Sequence, residues 1–170
     1  GGTYSCVKNG GNPVVSNSLT LVANDVAVCT ITNNDNAPSL TLVKQVVNDN
    51  GGGAVAGDWT LTAAGYDSVS PNAGTYNLSE SNGPAGYTQT SLTCSNSGNA
   101  QVTSVTLGLG ENVTCTFVND DEQAYITVVK VVTTDNGGTA QPNDFNLTLE
   151  GNPVSSGVAV PVNPGTYTAG

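Results

Sequence analysis

Lys44 is the residue in this chain with the most chemistry to explain. It ends the segment Leu40-Thr-Leu-Val-Lys44, an apolar strand by its alternation, in a chain with only three basic residues. An amine on the inner face of such a strand is costly unless a partner neutralises it or bonds to it. The thiols are the second reactive set. Cys94 and Cys115 lie 21 positions apart, and Cys6 and Cys29 lie 23 apart. The pairs stand in matching places on predicted strands, which reads as two disulfides. Closing a loop of this size is worth about 3 kcal/mol. Zinc is the sharper use of four cysteines, but C-x-x-C spacing and histidine are both missing. The third set is oxygen-rich. Asp49-Asn-Gly-Gly52 and Asp135-Asn-Gly-Gly138 offer Asp49 and Asp135 as Ca²⁺ ligands. The competing and favoured reading is a hairpin turn, for which Asn-Gly is the strong short signal.

The composition removes whole classes of function. The formal net charge is −10, with no Arg and no His. Nucleic acid needs a basic footprint, and an anionic membrane surface needs the same. Without histidine the commonest general base is gone, and no Ser/His/Asp set or phosphate loop is present. The chain is therefore expected not to be an enzyme that turns over substrate, nor to insert in a membrane, and no cofactor beyond Ca²⁺ is suggested. Val, Thr, Asn, Gly and Ser dominate, the vocabulary of strands and tight turns. With cysteines used as disulfides, an extracellular, oxidising setting is expected.

The elements that would carry these groups are strands at 39–47, 57–64, 74–80, 87–93, 101–107 and 112–119, with no helix. They recur. Leu40-Thr-Leu-Val-Lys44 returns as Ile126-Thr-Val-Val-Lys130, and Asp58-Trp-Thr-Leu61 as Asp144-Phe-Asn-Leu147, both 86 positions on. Cys115-Thr-Phe-Val-Asn-Asp120 matches Cys29-Thr-Ile-Thr-Asn-Asn34 at the same offset. The fold expected is all-β: tandem small Ig-like sandwich repeats of about 86 residues. Residues 1–37 read as the back part of one repeat, 38–121 as a complete repeat, and 122–170 as the front part of the next. Trp59 and Phe145 are expected core anchors. Either the chain is a window on a longer array, or residues 1–37 of a neighbouring copy complete 122–170, giving head-to-tail assembly.

Within the complete repeat, Gly74-Thr-Tyr-Asn-Leu-Ser-Glu80 is followed by Gly83-Pro-Ala-Gly-Tyr87. This resembles the G-x-Y-x-L-x-E…P-x-G-Y signature of CnaB-type domains, also called SpaA-type or prealbumin-like, which build Gram-positive pilins and surface-adhesin stalks. A lysine on the first strand and Asn119 closing the last fit the same pattern. The resemblance implies an inverse Ig-like sandwich. It also implies a self-made isopeptide bond in which Lys44 is the amine, Asn119 the carboxamide and Glu80 the acid between them. The alternative is a plain Lys44–Glu80 ion pair with Asn119 as a strand-end turn residue. In the partial repeats, Lys130 and Asn33 hold the equivalent places and could be joined between copies, although the position matching Glu80 falls just past Gly170. The function expected is a structural segment of an extracellular bacterial fibre, pilus or stalk. An adhesin repeat that binds a carbohydrate or host protein is the alternative, with Tyr66 and Tyr4 as its loose aromatic candidates.

Overall fold

The computed structural model describes residues 3–170, and these residues form twelve strands and no α-helix. In chain order the strands are β1 (Thr3–Lys8), β2 (Ala27–Thr32), β3 (Ser39–Val47), β4 (Leu61–Ala63), β5 (Gly74–Glu80), β6 (Tyr87–Cys94), β7 (Ser104–Leu107) and β8 (Asn112–Asp121). They continue with β9 (Ala124–Thr127), β10 (Leu147–Leu149), β11 (Asn152–Val154) and β12 (Ala159–Val162).

Strands β3 to β8 make a two-layer sandwich. One sheet has the order β3-β8-β6 and the other β4-β5-β7. Alternation decides what each strand buries. On β8, Val113, Cys115, Phe117, Asn119 and Asp121 are buried while the residues between them are not. Leu78 of β5, Val105 and Leu107 of β7 close on Leu92, Cys94, Val113, Cys115 and Phe117 from the other sheet. Phe117 and Cys115 are fully enclosed. The first and last strands of the sandwich, β3 and β8, lie side by side and run parallel, with Lys44 opposite Phe117 and Val46 opposite Asn119.

The remaining strands form three small two-stranded sheets, β1-β2, β9-β12 and β10-β11. Cys6 and Cys29 face each other across β1-β2, as Cys94 and Cys115 do across β6-β8, and both pairs are disulfide-bonded.

Two expectations need correcting. The strand expected over 57–64 is only Leu61–Ala63, preceded by a 3₁₀ turn at Ala56–Asp58. The Asp58 carboxylate accepts the Val55 N–H at 2.8 Å and bends the chain there. The same turn recurs at Pro142–Asp144, where Asp144 accepts the Gln141 N–H at 2.7 Å. The Asp49-Asn-Gly-Gly52 segment is not a hairpin turn either. Strand β3 pairs with β8 rather than with the strand that follows it, and the loop closes instead on Asp121.

Candidate functional site

Lys44, Glu80 and Asn119 converge at one end of the sandwich. Lys44 and Asn119 come from neighbouring parallel strands. The register sets Asn119 two residues beyond the partner of Lys44, so both point into the same face. Glu80 comes from the opposite sheet, at the end of the inner row Tyr76, Leu78, Glu80 of β5. The Lys44 ammonium donates to Glu80 Oε2 at 2.6 Å. Their side chains are only 4% and 10% exposed, which makes this an ion pair of the interior. Asn119 is 3% exposed, and its Oδ1 is buried without a hydrogen-bond partner. A buried carbonyl left unpaired costs about 1–3 kcal/mol. Asn119 is therefore part of the strand interior and not a strand-end turn residue.

A second layer encloses the amine. The Trp59 ring lies under Lys44 Nζ at 4.4 Å from its centroid and meets Tyr87 edge-on at 5.5 Å. Gly83 sits flat on the indole: a Cβ there would fall 2.0 Å from Trp59 Nε1, so no other residue fits. This gives a physical reason for glycine at position 83. Trp59, Glu80, Gly83, Tyr87 and Asn119 line an open cleft of about 260 Å³, which connects the site to solvent. The sequence marked Trp59 only as a core anchor. Its place against the amine needs the turn at Ala56–Asp58 to fold back beside β3, a contact between elements that alternation does not announce.

Tyr87 also fastens the loop after β3. Its hydroxyl donates to Asn48 Oδ1 and accepts the Ala54 N–H at 3.0 Å. Beside it, the Asp121 carboxylate accepts the Asn50 N–H at 3.0 Å and the Gly52 N–H at 2.5 Å. Burial raises the Asp121 pKa, but the backbone N–H groups of Gly52, Asn50 and Asp49 outweigh it together, and the net shift is downward. Asp49, Asp120 and Asp121 lie within 4.8 Å of one another. Of the two calcium candidates, only Asp49 stands in such a group among the described residues; Asp135 does not.

The other sequence candidates are dispersed. Lys130 Nζ lies 4.3 Å over the Phe145 ring, the counterpart of Lys44 over Trp59, but Phe145 is 41% exposed. Asn33 is exposed just past β2, and no hydrogen bond or ion pair joins it to Lys130 among the described residues. Tyr66 is not a loose loop aromatic: its hydroxyl accepts the Leu40 N–H at 2.9 Å and its ring packs edge-on against Tyr76. Tyr4 remains 44% exposed. No helix among the described residues is long and apolar enough to cross a membrane.

Comparison with curated proteins and with solved structures gives no match. The family model of the SpaA-type prealbumin-like fold domain matches residues 35–117, which hold Lys44 and Glu80 and stop short of Asn119, and again residues 121–169. The match covers most of the chain and agrees with the two-layer fold, and the protein belongs to the family of SpaA-type prealbumin-like fold domains.

Proposed function

We propose that this chain is a structural segment of an extracellular bacterial fibre or surface stalk, built from tandem repeats of about 86 residues that continue head to tail. Its complete unit is locked twice, by Cys94–Cys115 and by an amide bond between Lys44 and Asn119. The observation that carries this reading is the Lys44–Glu80 contact at 2.6 Å with the unpartnered Asn119 carboxamide buried on the same face.

The chemistry balances with the groups present. The Lys44 ammonium passes a proton to Glu80 along their hydrogen bond. The neutral amine attacks Cγ of Asn119, and the protonated Glu80 carboxyl donates to Oδ1 as charge builds there. Glu80 then relays the proton from Nζ to the departing nitrogen. One Nζ–Cγ bond forms, one Cγ–Nδ2 bond breaks, and ammonia leaves through the cleft. Folding supplies the proximity, and the reaction runs once. Trp59 covers one side of the amine. The product is a covalent tie between the first and last strands of the unit, which is where tension along a fibre would pull.

The test is peptide mapping of the reduced, digested chain. A branched peptide joining the Lys44 and Asn119 segments is the expected product, and Glu80→Ala should return two linear peptides. Linear peptides from the unaltered chain would overturn the covalent lock.

A further inference from the structure

An Asn-Gly step is chemically fragile, because glycine has no Cβ to keep its amide nitrogen from the asparagine carboxamide. The chain has four such steps: Asn9-Gly10, Asn50-Gly51, Asn82-Gly83 and Asn136-Gly137. The fold holds them differently. Asn9 is bound at both ends of its carboxamide: Nδ2 donates to Asp25 Oδ1 at 2.7 Å, and Oδ1 accepts the Val26 N–H at 2.8 Å. Asn50 Nδ2 donates to Asp49 Oδ1 at 2.7 Å and to the Asp121 carbonyl at 3.1 Å, while its own N–H is taken by the Asp121 carboxylate. Asn136 Nδ2 has a weaker hold, a bond to its neighbour Asp135 at 3.0 Å. Asn82 differs from all three. It is exposed on the irregular link between β5 and β6, and among the described residues neither its carboxamide nor the Gly83 N–H makes a hydrogen bond.

We propose that Asn82-Gly83 is a self-modification site, at which the folded chain deamidates. The Gly83 amide nitrogen attacks Cγ of Asn82. One N–Cγ bond forms, the Cγ–Nδ2 bond breaks, and Nδ2 leaves as ammonia with the proton from the Gly83 nitrogen. Water then opens the cyclic imide at either carbonyl, leaving aspartate or a β-linked isoaspartate. The fold cannot shed this weak point by changing the second residue. A Cβ at position 83 would fall 2.0 Å from Trp59 Nε1, so packing demands the glycine that makes the step fragile. The position gives the change a consequence. Asn82 and Gly83 line the open cleft together with Glu80 and Asn119. Either product sets a new carboxylate at the lip of that cleft, and isoaspartate adds one backbone atom directly before the glycine that lies on the indole. The reaction stands apart from the Lys44–Asn119 bond. The imide also lacks one ammonia, but it leaves a linear peptide that hydroxylamine cleaves between Asn82 and Gly83.

The experiment ages the full-length chain in mildly alkaline buffer, folded and, in parallel, reduced in denaturant. Each Asn-Gly peptide is then followed by mass spectrometry with isoaspartate detection. In the unfolded chain the four steps should convert at rates within a few-fold of one another. In the folded chain Asn82 should convert at least about tenfold faster than Asn9 and Asn50, where a bond to a carboxylate or to the backbone must first be broken. Asp25→Ala should speed conversion at Asn9 and leave the rate at Asn82 unchanged. Asn9 or Asn50 keeping pace with Asn82 in the folded chain would overturn the proposal. So would an Asn82 that stays an amide there while the unfolded chain converts. Neither result bears on the Lys44–Asn119 bond, which is read from a branched peptide.

Discussion

The strand pairs β1-β2 and β6-β8 share a sequence pattern and a cross-strand disulfide, but not an environment. In β6-β8, a second sheet covers the disulfide and Phe117 beside it is sealed. In β1-β2, Cys6 is buried while Ile31, which occupies the place of Phe117, stands 59% exposed. The two lysines differ in the same way. Lys44 meets an aromatic ring and a carboxylate, whereas among the described residues Lys130 meets only a half-covered ring. A strand pair with a disulfide thus does not by itself enclose a core. Two- and three-stranded ribbons are marginal in water until a second layer supplies a core. The reactive set exists only where that layer is complete, because Glu80 belongs to one sheet and Lys44 and Asn119 to the other.

The largest test of this contrast is a matched pair of truncations. Phe117→Ala should destabilise the sandwich by about 3–5 kcal/mol, while Ile31→Ala, at a dilution where the chain is monomeric, should change stability by less than about 0.5 kcal/mol. Denaturant midpoints followed by Trp59 fluorescence would read both. Removing the disulfides sharpens the point. Cys94→Ala with Cys115→Ala should lower sandwich stability by about 3 kcal/mol and leave it folded. Cys6→Ala with Cys29→Ala should abolish amide dispersion for β1-β2 in a heteronuclear NMR spectrum and leave the sandwich signals in place.

Gly83→Ala comes next. The new Cβ would meet the rigid Trp59 indole at 2.0 Å, so a cost of about 1–3 kcal/mol is expected, together with slower formation of the Lys44–Asn119 bond. The smallest effect is acid sensitivity. Asp25, beside Lys8 at 2.6 Å, is lowered to about 2 by the Lys8 hydrogen bond, the Val22 N–H and Asn9. Asp121 is lowered by its loop despite burial. A depressed carboxyl stabilises the fold above its unfolded value and loses that contribution as pH falls through the folded one. Carboxyl NMR titration should place the Asp25 midpoint near 2, and Asp25→Asn should flatten the acid limb of the β1-β2 signals.

Much of this site was legible before any coordinates. Strand 39–47 and strand 74–80 occur with the bounds expected, because alternation and flanking turn residues are local signals. The disulfides followed from register. Three things were not legible, each for a non-local reason. The loop at Asp49 looks like a hairpin turn, but its N–H groups are taken by Asp121, some seventy positions away. The last strand looks as if it closes at Asn119, but β8 runs on to Asp121 and so holds Asn119 inside it. Tyr66 looks loose until its hydroxyl meets the N–H of Leu40. The motif Gly83-Pro-Ala-Gly-Tyr87 was recognisable as a pattern, but the reason for its first glycine, contact with Trp59, needs the fold.

The central claim is a covalent tie inside the sandwich, and the most direct measurement is the intact mass of the whole chain, reduced and denatured. The account predicts a mass one ammonia below that of the sequence, with the deficit abolished in Lys44→Ala, Glu80→Ala and Asn119→Ala. A chain of full sequence mass would contradict it and leave Lys44 and Glu80 as a buried ion pair beside an idle carboxamide.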